Sequence, residues 1–406
     1  MRIGIFMLPY LPIIGGAQIQ AHGLATSFNN LGHEIIVYAS KFCVSECKKL
    51  GWNFDYQIKS CNSAKYPIFK INTKLWYWIT ANAIKRKILS DKLDIVQLFM
   101  SWPWACVAKE INRLNIPVVV RTAGDDIQTN KKLNYGIRLN NDRDKMIKTG
   151  LKNINKLIAI SPAITREYLQ LDLQSNNIIE IGNGINVNNF TKSNIDKIDV
   201  RTKLNLPLDK KLILSVGRNH PKKGFKDLIL SLKHLNHDKD YYAVVIVGDK
   251  TNELISFAES LGQNKYFFPI NELSVKEKAK DLIFPSRELI NLYKSVDYFV
   301  LPSHIEGYPN VTLEAAAAKI PVIVANSPGC RDVVTDGVDG IHVSVESPVE
   351  ISEAIIKLEK NPEWRQLMID NGFKKALSRD WKNVAQEYLA VYKGVLEEKN
   401  QFNYQD

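Results

Sequence analysis

"KLILSVGRNHPKKGF", residues 211–225, is a short apolar run closed by a glycine and followed by a charged loop. An apolar run of that length without polar alternation reads as a strand buried on both faces, the kind found in parallel sheets covered by helices. Upstream, "RIGIF", "HEIIVYAS", "DIVQLF", "IPVVVRT", "KLIAIS" and "NIIEIG" have the same character, and a helical pattern near Ala17–Leu31 follows the first of them. That series stops at "GNGINVNNF" and the polar stretch Thr191–Lys203. It starts again with Lys211, then "YAVVIVG", "KYFFP", "DYFVLPS", "PVIVAN" and "GIHVSV".

A strand-helix series that runs twice predicts an α/β chain of two Rossmann-like parallel-sheet domains, residues 1–190 and 191–381, facing each other across a cleft. The length of 406 residues suits two such domains better than one. Three helical segments follow, from Val349, from Pro362 and from Trp381. The last, about 382–406, is expected to return to the first domain.

Composition narrows the function classes. Apolar residues make up 45% and charged residues 24%, with no low-complexity tract. No apolar run approaches the roughly 20 residues needed to span a bilayer. The start, "MRIGIFMLPYLPIIGGAQ", reads as strand, turn and helix without a small-residue cleavage site, so a cytoplasmic protein is expected. Five cysteines, Cys43, Cys47, Cys61, Cys106 and Cys330, suit reduced thiols. A metal site on Cys43, Cys47 and Cys61 lacks a CxxC pair or histidine partner, and none is expected.

The net charge of +11 is unevenly placed: residues 1–190 carry 24 Lys+Arg against 13 Asp+Glu, and residues 191–406 carry 30 of each. A basic first half points to an anionic membrane surface or an acidic acceptor, with a merely solubilising surface as the alternative. Nucleic acid is not favoured, because the basic half alternates core strands and contains no recognised nucleic-acid module. Within it, "KLWYWITANAIKRKIL", Lys74–Leu89, combines Trp76, Tyr77 and Trp78 with Lys85, Arg86 and Lys87, as an interfacial helix would. The competing reading is a surface helix with its aromatics turned inward.

Three loops carry candidate chemistry. Gly15–Gly16 lies where the first helix opens, a place where backbone amides can approach an anion. Arg218 and Lys223 emerge at the carboxyl end of a parallel strand and could hold a diphosphate, Arg as a fork and Lys as a point charge, while Lys222 is expected to face solvent. In "HIEGYPNVTLEAAAAK", His304–Lys319, Glu306 lies in a loop and Asn310 is placed to cap a helix whose first amides, near Val311, suit an anion. Glu314, a turn into that helix, could accept hydrogen bonds from vicinal hydroxyls such as those of a ribose, and Glu306, beside Gly307, from a second sugar. Helix-dipole compensation would explain Glu314 alone.

With these motifs, "GGAQ", "GNGIN", "GRNHPKKGF", "EGYPNVTLEA" and the tryptophan-led last helix, the chain resembles the retaining nucleotide-sugar glycosyltransferases of family four, which have the GT-B fold. The resemblance implies a nucleoside-diphosphate sugar held mainly by the second domain and a glycan or glycolipid acceptor held by the first. It implies that Arg218 and Lys223 neutralise the diphosphate, Glu314 binds the ribose, Glu306 lies by the donor sugar, and Gly15, Gly16, Gly307, Asn310 and Val311 complete the donor site. It also implies no divalent metal and no cofactor beyond the donor, and it suggests a surface-polysaccharide or lipid-linked acceptor at the inner membrane face.

A phosphorylase or synthase with a soluble sugar acceptor, or a sugar-nucleotide 2-epimerase on the same architecture, are the alternatives. In one place the chain departs from the pattern. The first-domain loop that carries a histidine in many relatives reads "RTAGDDIQ", which leaves Asp125 or Asp126 to meet acceptor or sugar. His22 and His33 need not replace that histidine, and His33 suits a structural turn.

Overall fold

The computed structural model describes residues 1–237, 240–271, 273 and 282–403, the side chains of 400–403 excepted. The chain divides into two compact units: the first holds Met1–Gly184 and the segment that begins at Trp381, and the second begins at Ile185 and ends at Asp380.

The first unit is a seven-stranded sheet in the order β3-β2-β1-β4-β5-β6-β7, every neighbouring pair parallel. The strands are β1 (Arg2–Phe6), β2 (Glu34–Ala39), β3 (Gln57–Ser60), β4 (Ile95–Phe99), β5 (Val118–Arg121), β6 (Lys156–Ala159) and β7 (Ile178–Glu180). Six are the runs read from the sequence. β3 is an added edge strand, and its partly exposed residues gave no apolar signal. Its helices include α1 (Gly16–Asn30), α2 (Lys41–Lys49), α3 (Tyr66–Ile71) and α4 (Thr73–Ser90).

The second unit is a six-stranded parallel sheet in the order β10-β9-β8-β11-β12-β13. Here β8 is Lys211–Val216, β9 Tyr242–Val247, β10 Phe267–Ile270, β11 Tyr298–Leu301, β12 Val322–Ala325 and β13 Ile341–Val343. One apolar cluster lies on each face. Leu212, Leu214 and Val216 of β8 point to one, Ile213 to the other, so the strand opening this unit is buried on both sides as its composition predicts.

Ile185, Val187 and Phe190 belong to the first of these clusters. The domain change therefore falls at Gly184–Ile185, ahead of the expected position at 190, because apolar packing and not the polar stretch decides where the second core begins.

The last helix, Trp381–Asn403, packs on the first unit. The Phe28 ring of α1 meets Tyr392 at 5.5 Å, and the Tyr392 hydroxyl donates to Gln97 of β4 at 2.7 Å. At its start the Trp381 ring lies against Gly184, where a Cβ would come within 2.6 Å of the indole. The "GNG" turn thus needs that glycine for a close approach rather than for its dihedral freedom.

Candidate functional site

In both sheets the chain reverses winding direction beside the first strand of the unit, between β1 and β4 and between β8 and β11. Open parallel sheets bind ligands at the carboxyl ends of the strands flanking such a point. In the second unit the loops there carry Arg218, Lys222 and Lys223 after β8, and Glu306 and Gly307 after β11.

Glu306 is the hub of this cluster. Lys223 Nζ donates to its Oε1 at 2.7 Å and Lys222 Nζ to its Oε2 at 2.9 Å, and Lys222 Nζ also reaches the Ile305 carbonyl at 3.3 Å. Burial alone would raise the Glu306 carboxyl, but the charges of Lys223 and then Lys222, and the hydrogen bonds from both, outweigh it and hold it at about 2. Lys222, expected in solvent, is only 13% exposed, as is Lys223. The short loop turns both ammonium groups onto one carboxylate, and the two positive charges together offset the cost of burying it. Arg218 is exposed and makes no hydrogen bond or ion pair among the described residues.

The backbone behind Glu306 is fixed from β12. Gly329 sits at φ +80°, and a Cβ there would lie 2.0 Å from the Glu306 carbonyl oxygen, so only glycine fits both the dihedral and the approach. The Glu306 amide donates to the Pro328 carbonyl at 2.9 Å.

Glu314 is fully inside the same unit, in helix Asn310–Ala317, and takes a hydrogen bond from the Tyr293 hydroxyl at 2.9 Å. Burial pushes its carboxyl up to about 7, with the Tyr293 hydroxyl pulling the other way. Two carboxylates eight residues apart thus stand in opposite states: Glu306 is firmly ionised, and Glu314 titrates near neutrality. Asn310 is not the cap of this helix. Pro309 holds that place, with extended backbone and no side-chain cap bond, and Asn310 and Val311 form the first turn, where helix amides lack intrahelical carbonyls.

The remaining candidates lie in the first unit. Gly15 is the N-cap of α1, in extended backbone, and Gly16 is the exposed first residue of that helix. The loop leading to them is held from below: Gln18 donates to the Pro9 carbonyl at 2.7 Å, the Cys43 thiol to Tyr10 at 3.3 Å and the Cys47 thiol to Leu11 at 3.1 Å. All five cysteines are free and buried. His22 shares a chain with Tyr56 (2.6 Å) and Tyr10 (Tyr10 to Tyr56, 2.5 Å), and burial lowers its imidazole to about 4. His33 lies in the α1–β2 turn beside the amino terminus.

The Asp126 carboxylate is engaged by the backbone. It is fully buried and accepts from the amides of Ser101 (2.5 Å), Ala123 (2.7 Å) and Gly124 (3.1 Å), tying the loops after β4 and β5 together. Burial, and then the charge of Asp125, raise it to about 6. Asp125 is half-buried, and its carboxylate has no hydrogen bond or ion pair among the described residues. Among the described residues no group of three or more His, Cys, Asp or Glu could hold a metal ion.

Sequence reasoning missed Lys222 and Tyr293. The doubled lysine of "PKKGF" was the only signal for the first. Nothing marked Tyr293, which reaches Glu314 from another helix.

Two family models match the chain, "Glycosyltransferase Family 4" over residues 14–189 and "Glycosyl transferases group 1" over residues 196–375. An uncharacterized glycosyltransferase of Methanocaldococcus jannaschii is 26% identical, over 98% of this chain and 99% of its own. The N,N'-diacetylbacillosaminyl-diphospho-undecaprenol alpha-1,3-N-acetylgalactosaminyltransferase of Campylobacter jejuni is 26% identical over 62% of this chain and 64% of its own. Among solved structures, an Anabaena protein in complex with UDP superposes with a TM-score of 0.77 at 15% identity, over 97% of this chain and all of its own.

Proposed function

The chain belongs to the group 1 and family 4 glycosyltransferases and has the GT-B fold; from that premise we propose that it transfers a sugar, with retention, from a nucleoside-diphosphate sugar to a lipid-linked or surface-polysaccharide acceptor at a membrane face. The observation that carries the reading is the cluster of Glu306, Lys222 and Lys223, with Arg218 unpaired among the described residues, at the carboxyl ends of β8 and β11. Two fixed cations and a third that is free to reach out suit a leaving group that gains negative charge.

In this reading the second unit holds the donor. Arg218 and Lys223 take the diphosphate, the first-turn amides at Asn310–Val311 face its oxygens, and Glu314 accepts the ribose hydroxyls. Glu306 stays ionised beside the donor sugar and steadies the Lys223 ammonium, which has three donors to share between carboxylate and phosphate. The bond from the anomeric carbon to the diphosphate oxygen breaks, and the acceptor hydroxyl oxygen bonds that carbon from the same face. The hydroxyl proton passes to the departing phosphate oxygen. The chain's own cations carry the charge neutralisation, so no divalent ion has a step to perform. The acceptor belongs to the first unit, where Asp125 is its candidate.

The Campylobacter relative's name, with its diphospho-undecaprenol acceptor, and a Staphylococcus aureus relative named for capsular polysaccharide biosynthesis support an acceptor of that class. The test is a thermal-shift screen of UDP, GDP, ADP and CDP and their sugar conjugates, followed by NMR of the product's anomeric proton. Stabilisation by one nucleotide family, abolished in Glu314→Ala, and an unchanged anomer are expected. No stabilisation by any nucleotide overturns the donor assignment, and an inverted anomer overturns retention.

A further inference from the structure

Between Asp55 and Asp91 the chain carries seven Lys or Arg and no Asp or Glu. Most of that stretch folds as α3 and α4, and the structure separates its aromatics. Trp76 is buried against Phe69 and Trp102, whereas Trp78 is 64% exposed. Leu75, Trp78, Asn82, Arg86 and Leu89 follow one another at spacings of three and four, one line along the helix, and Leu75, Trp78 and Leu89 are all solvent-exposed. Ile71, at the end of α3, is 87% exposed. Lys65, Lys70, Lys74 and Arg86 are exposed on the same two helices. Two cations of the stretch have acidic partners: Lys59 lies 2.5 Å from Asp91, and Lys85 3.7 Å from Glu110.

We propose that the outer face of α3 and α4 docks on an anionic lipid bilayer, Ile71, Leu75, Trp78 and Leu89 entering the headgroup boundary and Lys65, Lys70, Lys74 and Arg86 pairing with lipid phosphates. This rests on the reading of a membrane-borne acceptor and deepens it by naming the surface. Exposed Trp, Leu and Ile among exposed cations, in a stretch of sequence that itself contains no Asp or Glu, match what an acidic, apolar-cored interface offers. No helix among the described residues is long and apolar enough to cross a membrane, so this is attachment in the interface plane. The same segment reaches inward: Lys65, Tyr66 and Trp76 line a cavity of about 420 Å³ with Trp102, Ile13 and Asn62. Docking through α3 and α4 therefore sets the rim of that cavity at headgroup level, where the sugar of a lipid-borne acceptor lies.

The experiment is flotation of the full chain with vesicles of phosphatidylcholine alone or mixed with phosphatidylglycerol, at low and high salt. It is repeated on Leu75→Ala/Trp78→Ala and on Lys70→Gln/Lys74→Gln/Arg86→Gln, all exposed positions, with the thermal midpoint confirming the fold. Binding at least about tenfold stronger to the anionic vesicles, weakened by salt and lost in both variants, is expected. Equal binding to both vesicle types, or undiminished binding in either variant, overturns the proposal. So does a dimer in solution that the Trp78 variant dissolves, which would make this face a contact between copies. Nucleotide-induced stabilisation is recorded on the same samples. It should be unchanged in the variants, so a failure to dock is distinguished from a failure of the transferase reading.

Discussion

Asp126 and Glu306 are both buried carboxylates in loops at the carboxyl ends of parallel strands, and they are held in opposite ways. Asp126 is fed by three backbone amides and pushed up to about 6; Glu306 is clasped by two lysines and pulled down to about 2. Partial charges on amides do not repay the loss of water around a full charge, and two ammonium groups do. The first arrangement locks two loops together. The second keeps two cations gathered at a strand end.

The largest effect should come from breaking the charged member. Glu306→Ala should lower transfer about 10²–10³-fold and also lower the urea midpoint, since Lys222 and Lys223 lose their counterion. Arg218→Ala should cost about 10² in rate while changing stability by less than about 0.5 kcal/mol. A matching loss of stability in Arg218→Ala would show that it, too, is part of the scaffold.

Asp126→Ala tests the other member. Leaving three buried amides without an acceptor should cost about 1–3 kcal/mol in urea unfolding, with little change in acceptor KM. A raised KM with unaltered stability would instead place Asp126 against the acceptor.

The two carboxylates also predict opposite pH signatures. The folded-state value of Glu306 is depressed, so its contribution is present above the ordinary carboxylate range and lost as pH falls toward about 2. That of Asp126 is raised, so its contribution is full below that range and lost as pH rises through about 6. Relative to Asp126→Asn, the unmodified chain should therefore lose stability between about pH 4 and about pH 6, by at most about 1.4 kcal/mol per pH unit.

A smaller effect sharpens the role of Glu314, whose carboxyl lies near 7. A ribose diol needs the ionised form, so affinity for a nucleoside-diphosphate sugar, whose phosphates do not titrate there, should rise a few-fold from about pH 6 to about pH 8. Calorimetry on Glu314→Gln should show no such rise. Smallest of all, EDTA should leave the transfer rate unchanged; a loss restored by magnesium would defeat the assignment of charge neutralisation to Arg218 and Lys223.

The fold was legible because twelve of the thirteen strands are apolar runs, and burial on both faces of a parallel sheet forces that composition. β3 escaped because Gln57 and Lys59 interrupt its apolar pattern; β7, the opposite edge, is as exposed but keeps Ile178 and Ile179 side by side. Of the site, the residue types and their loops could be read, since open parallel sheets bind ligands at the loops after the carboxyl ends of their strands. What each one touches could not. Asn310 suits a cap by type, yet Pro309 occupies that position, and Lys222 looked as exposed as its neighbours until Glu306 drew it in.

By itself the sequence determined two doubly wound sheets, a last helix and the loops that carry charge, because these follow from local periodicity and from which residues can be buried. Only the tertiary structure decided that Glu306 is ionised, that Glu314 titrates near neutrality against Tyr293, and that Asp126 is spent on amides. A carboxyl's charge depends on water lost and partners gained within a few ångströms, and those partners come from elements far apart in the chain.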